Sequence, residues 1–269
     1  MTVLLGTAVE PLDRDVDVAL LISDLHVPAD GGAALQHLRW ALAAARRQRA
    51  ALLVLGDLFD SDVCRAQVRT GVWREVAEAF AVAVAAGMDI DVIPGNRDFL
   101  LGPEFPAASG ARLGRGGLRG RIGGVDTLLL HGDELCQNDL PYQRAKRWLR
   151  HPFTRWLARG LPVRLALGVA ERARRKSRMV IANGDQTRFL PTGAAVDAAL
   201  ATGPARLVFG HIHRHGHGRR GPADYWVMPA FDATATGLLI GPGRAAPVRV
   251  VDAAGELEPV PVPAPCPFA

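Results

Sequence analysis

The stretch Leu128-Leu-Leu-His-Gly-Asp-Glu-Leu-Cys136 sets an apolar run directly before a histidine and two acids. An apolar run of this kind is typical of a buried strand, and residues that directly follow such strands gather at the carboxyl edge of an α/β sheet. The same order recurs in four other places, where the polar clusters are Ser23-Asp-Leu-His26, Gly56-Asp-Leu-Phe-Asp60, Gly95-Asn-Arg-Asp98 and Gly210-His-Ile-His213. Five clusters of this kind predict a binuclear metal site.

Around these clusters, predicted strands alternate with predicted helices through most of the chain. Amphipathic spacing predicts helices over 33–49 and 66–86. Short β-type runs close the chain, so we predict an α/β fold with an antiparallel finish. Residues 1–15 read as a loose extension and 259–267 as an extended, proline-rich tail.

Length and composition predict a globular protein. With 269 residues, 49% of them hydrophobic, the chain has ample core for one large domain or two small ones, and we expect a single domain over 1–269. Three irregularly spaced cysteines favour a reducing compartment. The acidic first residues do not resemble a secretory signal, and no stretch reaches the roughly 20 apolar residues of a membrane span. We therefore expect a cytoplasmic protein, soluble or peripheral on the membrane.

The residue types in the clusters predict which ions are bound. Asp24 and His26 are two apart, as are His211 and His213, so both members of each pair can face one ion. Carboxylate, amide and imidazole donors suit Mn²⁺, Fe or Zn²⁺. Asp57 could bridge two ions about 3.5–4 Å apart. The predicted ligands are Asp24, His26, Asp57, Asn96, His131, His211 and His213.

Each cluster alone has a simpler explanation. Gly56-Asp57 is a common turn, Asn96 follows Pro94-Gly95 as turn residues do, and a lone histidine is usually solvated. We assign His215 and His217 to that solvated class and leave His37 and His151 as surface or packing residues. The joint order of the five clusters favours the metal site.

Taken together, the order D-x-H, G-D, G-N-x-D, H-G-D, G-H-x-H resembles the calcineurin-like metallophosphoesterase superfamily. The resemblance implies a two-sheet β-sandwich flanked by helices, with the ions at one end. It further implies two ion sites that share Asp57: one completed by Asp24, His26 and His213, the other by Asn96, His131 and His211.

Within that superfamily, Gly95-Asn-Arg-Asp-Phe-Leu-Leu-Gly102 resembles the lipid A pathway pyrophosphatases that act on UDP-2,3-diacylglucosamine, with similarity from about residue 20 to 214. This implies Mn²⁺-dependent hydrolysis at the α-phosphorus, giving 2,3-diacylglucosamine 1-phosphate and UMP. Asn96, Arg97 and His211 are the predicted catalytic and substrate-binding residues.

Arg97 fits a diphosphate substrate. An arginine cannot protonate a leaving alkoxide, but its forked charge can stabilise a departing phosphate. The alternative is a surface arginine paired with Asp98.

The segment 139–180 carries twelve Lys or Arg against two acids, interleaved with large apolar residues. We predict a helical insertion that forms a lid, whose apolar side holds acyl chains and whose basic side meets an anionic membrane surface. The alternative is a hairpin whose aromatics anchor it to the core and whose arginines are solvated.

The resemblance also implies substrate contacts at Asp139 and Ser177. The match beyond them is loose: Asn183 aligns weakly, and no lysine aligns cleanly, although Lys176, Arg178 or Arg188 could substitute.

Two other functions stay open on the sequence. One is a phosphoesterase of the same chemistry acting on another nucleotide, sugar nucleotide or phosphodiester. The other, which we do not expect, is a nucleic-acid-binding protein that uses the arginine run as a phosphate track.

Overall fold

The computed structural model describes residues 2–183 and 185–269; the side chains at 174, 176–178, 180–183 and 186 lie outside that description, and so does the predicted contact of Ser177. The fold contains two seven-stranded mixed sheets. The first, in spatial order, consists of β1 (Thr2–Leu4), β2 (Thr7–Pro11), β7 (Gly117–Ile122), β8 (Val125–Leu130), β9 (Arg206–Phe209), β11 (Ala223–Val227) and β10 (Gly216–Arg220). The second consists of β14 (Leu257–Pro259), β13 (Arg244–Val250), β12 (Thr236–Gly241), β3 (Ala19–Ile22), β4 (Ala51–Leu55), β5 (Ile90–Ile93) and β6 (Arg112–Leu113).

The described chain contains eight α-helices; the first two pack on the outer face of the second sheet and the seventh on that of the first. They are α1 (Gly32–Arg47), α2 (Gly71–Ala85), α3 (Glu104–Ser109), α4 (Leu140–Leu149), α5 (Pro152–Arg159), α6 (Val163–Asn183), α7 (Gly193–Leu200) and α8 (Phe231–Thr234). None of the described helices is both long enough and apolar enough to cross a bilayer. The predicted α/β sandwich with flanking helices is confirmed.

Side chains along the central strands alternate between the two faces of the sheet, and this divides the core into layers. Leu21 of β3 and Leu53 of β4 point between the sheets, where they join Leu129 and Val208 of the first sheet. Their neighbours on the opposite face, such as Leu20, pack under α1 and α2. A strand buried on both faces must be apolar throughout, which explains the unbroken runs in the sequence.

Both ends of the chain are more ordered than expected. The prediction of a loose extension over residues 1–15 is wrong, because β1 and β2 form an antiparallel hairpin that pairs with β7. Its turn, Leu5-Gly6, has positive φ at both residues, as tight hairpins require. The proline-rich tail is extended after β14, but it packs on the first sheet and buries Cys266.

Candidate metal centre

Parallel pairing places the polar clusters at one edge of the sandwich. β3, β4 and β5 are parallel neighbours in the second sheet, as β8 and β9 are in the first. The loops that follow them are joined directly: His26 N donates to Asp57 O at 2.9 Å, and Gly210 N donates to His131 O at 2.8 Å. The loops of the two sheets also meet at their carboxyl ends, where His211 N donates to Asp24 Oδ2 at 2.9 Å.

One group of donors surrounds Asp24. Its Oδ1 lies 3.3 Å from His213 Nε2 and 3.9 Å from His26 Nε2. His26 Nε2 also lies 3.2 Å from Asp57 Oδ2. Asp24, His26 and His213 can each offer one ligand atom within 4.8 Å of the others, a spacing suited to a single cation.

A second group lies on the other side of Asp57. His131 Nε2 is 2.9 Å from Asn96 Oδ1 and 3.7 Å from Asp57 Oδ1. The His211 ring lies 5.1 Å from the His131 ring, centroid to centroid, and its backbone N–H donates to Asp24 Oδ2 at 2.9 Å. The structure thus brings all seven predicted ligands together, while their roles stay a prediction.

The backbone at these positions is unusual. Only eight non-glycine residues in the described chain have positive φ, and five of them are the predicted ligands Asp24, His26, Asp57, His211 and His213. Left-handed backbone is costly for residues with a Cβ and concentrates at functional sites. It lets consecutive residues in a short loop turn their side chains toward one point.

Three glycines of the motifs are required by close approach. A Cβ on Gly95 would collide with Asp57 Oδ1, one on Gly56 with the His131 ring, and one on Gly210 with Ser23 and Asp24. The glycines in G-D, G-N and G-H therefore make room for ligands from other loops.

Partners on the far side of the histidines fix their orientation. Asp232, at α8, has Oδ2 3.1 Å from His26 Nδ1, and Leu55 O lies 2.9 Å from His131 Nδ1. With Nδ1 engaged, each ring turns Nε2 toward the carboxylates, the arrangement found in metal sites. Asp232 was missed by sequence reasoning because no motif surrounds it. His37 is a packing residue, as predicted, and contacts the Asp232 carbonyl at 3.0 Å.

Electrostatics at the site favour ionised carboxylates. Burial opposes ionisation of Asp57, but His131, His26 and Arg97 outweigh it and hold its pKa well below the usual range. Burial and His131 lower the pKa of His211 to about 4, so this imidazole is neutral near pH 7, the form that binds cations.

Arg97 lies beside the ligands. Its Nη1 is 2.7 Å from Asp60 Oδ1 and its Nε is 3.5 Å from Asp57 Oδ2, and its side chain is partly exposed. The alternative pairing with Asp98 is wrong. Asp98 points inward instead and accepts N–H bonds from Gly95 and Leu58, each at 2.7 Å, which ties the loops after β4 and β5 together.

Asp139 lies at the start of the predicted lid. It caps α4 by accepting from Tyr142 N and pairs with Arg188 at 3.0 Å. Arg188, one of the candidate substitutes for the missing lysine, is therefore already close to the predicted substrate residue.

One prediction about a peripheral side chain is wrong. His217 is not simply solvated: it stacks on Trp226 with ring centroids 3.9 Å apart. In the segment of the predicted lid, Trp148 and Trp156 are 73% and 71% exposed and do not pack on the core, whereas Tyr142 donates to the buried Asp133.

The donor set fits a pair of hard or borderline divalent cations. It combines carboxylate, amide and imidazole groups without thiolate. Asp24 Oδ1 is buried and, apart from the His213 ring nitrogen at 3.3 Å, has no hydrogen-bond partner among the described groups, so a cation between the two would complete it.

Comparison with known proteins gives the same result. The family model described as calcineurin-like phosphoesterase matches residues 18–215. The chain belongs to the calcineurin-like phosphoesterase family. It is therefore a hydrolase of a family that uses divalent metal ions, and the predicted superfamily is confirmed.

Three curated relatives of the chain carry the same name. A UDP-2,3-diacylglucosamine hydrolase of Azotobacter vinelandii is 34% identical over 72% of this chain and 81% of its own length. One of Aeromonas salmonicida is 37% identical over 72% of this chain and 77% of its own length. A third, of Pseudomonas putida, is 33% identical over 72% and 81%. The predicted resemblance to the enzymes that cleave this sugar nucleotide is confirmed.

Proposed function

We propose that this phosphoesterase hydrolyses the diphosphate of UDP-2,3-diacylglucosamine at the α-phosphorus. Three relatives that are 33–37% identical to the chain over 72% of its length carry the name of that hydrolase. The observation that carries the proposal is Arg97, which lies between the candidate ligand Asp57 and Asp60 and remains partly exposed. A permanent guanidinium at this place suits a diphosphate better than a simple monoester.

The reaction balances as a hydrolysis. The oxygen of water bonds to the α-phosphorus, the bond from that phosphorus to the bridging oxygen breaks, and the products are UMP and 2,3-diacylglucosamine 1-phosphate. Arg97 donates to the charge that develops on the departing phosphate. Asn96 and His211 orient the phosphoryl oxygens.

Two cations would be held by the seven predicted ligands, with Asp57 shared. When bound they would activate water and neutralise the phosphate oxygens. We propose Mn²⁺, following the resemblance; the mixed oxygen and nitrogen donors without sulfur can bind it, as they can bind Fe or Zn²⁺.

The helices α4–α6 are the proposed lid and membrane-facing surface. Nine of the twelve exposed large apolar side chains described lie on them, among them Trp148, Phe153, Trp156 and Leu165. Together with the basic surplus of this segment, they suit acyl chains on one side and anionic headgroups on the other. We propose that Asp139 and Arg188, which pair with one another at 3.0 Å, contact the sugar.

UMP release from UDP-2,3-diacylglucosamine in mixed micelles tests the reaction. Purified protein with Mn²⁺ should release UMP, and Arg97→Gln should lower kcat by roughly 100-fold because one transition-state donor is lost. The exposed Arg74→Gln on α2 is the matched control. A protein that cleaves soluble diesters but not this lipid would be a family member with another substrate.

Vesicle flotation tests the membrane surface. We expect binding to vesicles with anionic lipid, weakened by salt and by the double change Trp148→Ser and Phe153→Ser. Equal flotation with zwitterionic vesicles, or with the double variant, would contradict this proposal.

A further inference from the structure

Helix α4 of the proposed lid lies against the loop that carries His131. Tyr142 OH donates to the buried Asp133 carboxylate, and Gln143 Nε2 donates to the Asp133 carbonyl at 2.7 Å. Lys146 Nζ lies 2.8 Å from Asp133 Oδ2. Because residues four apart on a helix share a face, one face of α4 is fixed to this loop.

Arg150 extends this face to a second loop. It directly follows α4 and lies four residues beyond Lys146. Its Nη2 lies 3.6 Å from Asp133 Oδ2 and donates to Gly95 O at 3.3 Å. The guanidinium therefore joins the loop after β8, in the first sheet, to the loop after β5, in the second.

The two loops that Arg150 joins carry ligands of the same predicted ion. Asn96 directly follows Gly95, and His131 lies two residues before Asp133. The two ligand side chains meet at 2.9 Å, between Asn96 Oδ1 and His131 Nε2. A bridge directly behind both ligands helps to fix the distance between them.

The bridge lies largely out of water. The side chains of Asp133 and Arg150 are 1% and 20% exposed. Ion pairs in such places are screened by salt much less than exposed pairs. Partners behind the ligands of a metal orient those ligands, and their loss typically lowers metal affinity or activity by about 10–100-fold. Arg150 is such a partner for two loops at once.

The other predicted ion lies away from this bridge. Besides the shared Asp57, its ligands are Asp24, His26 and His213, which lie close to one another in the loops after β3 and β9. Among the hydrogen bonds and ion pairs of the described residues, none joins Arg150 to these three. Loss of the bridge should therefore affect one ion and not the other.

We infer that Arg150 is a positioning residue for the ion held by Asn96, His131 and His211, and that the lid supports the metal centre through it. The inference rests on the proposed function, because it needs the two cations proposed there, but it does not depend on the lipid substrate. In this role Arg150 acts through the ligand loops and not on the reacting phosphate.

Titration of the apoprotein with Mn²⁺ by calorimetry tests this role without turnover. The wild type should bind two ions. Arg150→Met should weaken one binding step about tenfold and leave the other unchanged. Asn96→Ala, which removes a ligand, should weaken the same step and so identifies it. Electron paramagnetic resonance should show isolated Mn²⁺ in Arg150→Met at a concentration where the wild type shows a coupled pair.

Two further variants are compared with Arg150→Met. Arg150→Lys keeps the charge on a shorter side chain and should show an intermediate loss at the same step. Arg147→Met, at an exposed position on α4, is the matched control and should bind both ions as the wild type does. Urea unfolding shows whether each variant is folded. Should Arg150→Met not fold, Arg150→Lys decides, and wild-type Mn²⁺ affinity in that variant would overturn the inference.

Hydrolysis of a small soluble phosphodiester separates positioning from substrate contact. At an Mn²⁺ concentration that saturates the wild type, Arg150→Met should lower kcat about tenfold and leave KM unchanged. A loss confined to the lipid substrate would make Arg150 a substrate contact and overturn the inference.

Three other results would overturn it. Equal weakening of both ions in Arg150→Met would indicate a general loosening of the fold. Unchanged Mn²⁺ binding in the folded variant would mean that Arg150 only attaches the lid. A wild type that binds a single ion would leave no second ion for Arg150 to support. By contrast, a wild type that binds two ions and cleaves the soluble diester but not the lipid would refute the proposed function alone.

Discussion

The Cα of Gly95, in the loop after β5, lies against the carboxylate of Asp57, in the loop after β4. Gly95→Ala would drive its Cβ into Asp57 Oδ1, so Asp57 must move. A shift of the order of 1 Å in a ligand costs roughly 100-fold in rate. We expect kcat/KM on a soluble diester to fall by about that factor, with metal content reduced. Gly241→Ala, where a new Cβ meets nothing within 4 Å, is the control. Equal activity of the two variants would refute the steric role.

Asp232 acts through His26. Asp232→Ala removes the acceptor at 3.1 Å from Nδ1 and frees the ring to turn. Loss of such a partner costs roughly 10–100-fold in metal affinity or activity. Titration of the apoprotein with Mn²⁺ should show the weaker affinity, while Asp232→Asn, which keeps an acceptor oxygen, should recover most of it. The exposed Asp15→Ala should have no effect. If Asp232→Asn were as impaired as Asp232→Ala, an orienting hydrogen bond would not be the explanation.

The seven candidate ligands could be singled out from the sequence, and Asp232 could not. Asp24 and Asp57 each lie two residues after a strand, and the apolar runs of both strands can be read directly from the sequence. Asp232 follows no such run, and its role arises only when α8 packs near the first loop. His217 was misassigned for the same reason, because its stacking partner Trp226 is brought to it by strand pairing.

The loop between β4 and α2 contains a buried acid. Burial, then Asp98, raise the pKa of Asp62 from 3.8 to about 8. Between these two values the folded state holds a proton that the unfolded state has released, so stability falls as pH rises from about 4 to about 8. We expect Asp62→Asn to flatten this decline and to stabilise the protein by at least about 1 kcal/mol at pH 8. Urea unfolding at several pH values measures it; parallel curves for the two proteins would contradict the assignment.

Helix α4 is fastened to the His131 loop by a buried ion pair. Lys146 Nζ lies 2.8 Å from Asp133 Oδ2, and both side chains are buried. Lys146→Met would leave Asp133 with less compensation, a change that typically costs about 3–5 kcal/mol. Urea unfolding should show that loss, whereas the exposed neighbour Arg147→Met should change stability by less than about 0.5 kcal/mol. A small effect of Lys146→Met would mean that Arg150 and Tyr142 suffice to hold Asp133.

Among the helices and strands, those with a long apolar run or with amphipathic spacing were predicted from the sequence. β3, β4 and β5 and helices α1 and α2 were found because buried runs and amphipathic spacing repeat over several residues. The hairpin β1–β2 was missed because its strands have three and five residues and its turn is Leu5-Gly6, which lacks the usual Asn or Asp.

In the molecule as a whole, the ligands come from both sheets. Four predicted ligands, Asp24, His26, Asp57 and Asn96, follow strands of the second sheet, and the other three, His131, His211 and His213, follow strands of the first. Cations shared by both groups would hold the sandwich closed at that edge. Mn²⁺ at about 100 times its Kd should add about 2.7 kcal/mol to the unfolding free energy. Thermal unfolding with Mn²⁺ and with EDTA measures the shift, and Asp57→Asn should abolish most of it. An equal shift in that variant would place the stabilising ion elsewhere.

The left-handed backbone at five predicted ligands bears on how the molecule can evolve. Asp, Asn and His are among the few residues with a Cβ that tolerate this conformation, and glycine adopts it freely. A descendant protein without catalytic activity would keep its fold if glycine or asparagine replaced these residues. Valine or isoleucine at the same positions would destabilise the loops and also remove the activity. Inactive homologues of this enzyme should therefore be recognisable by glycine or asparagine at the positions of the predicted ligands.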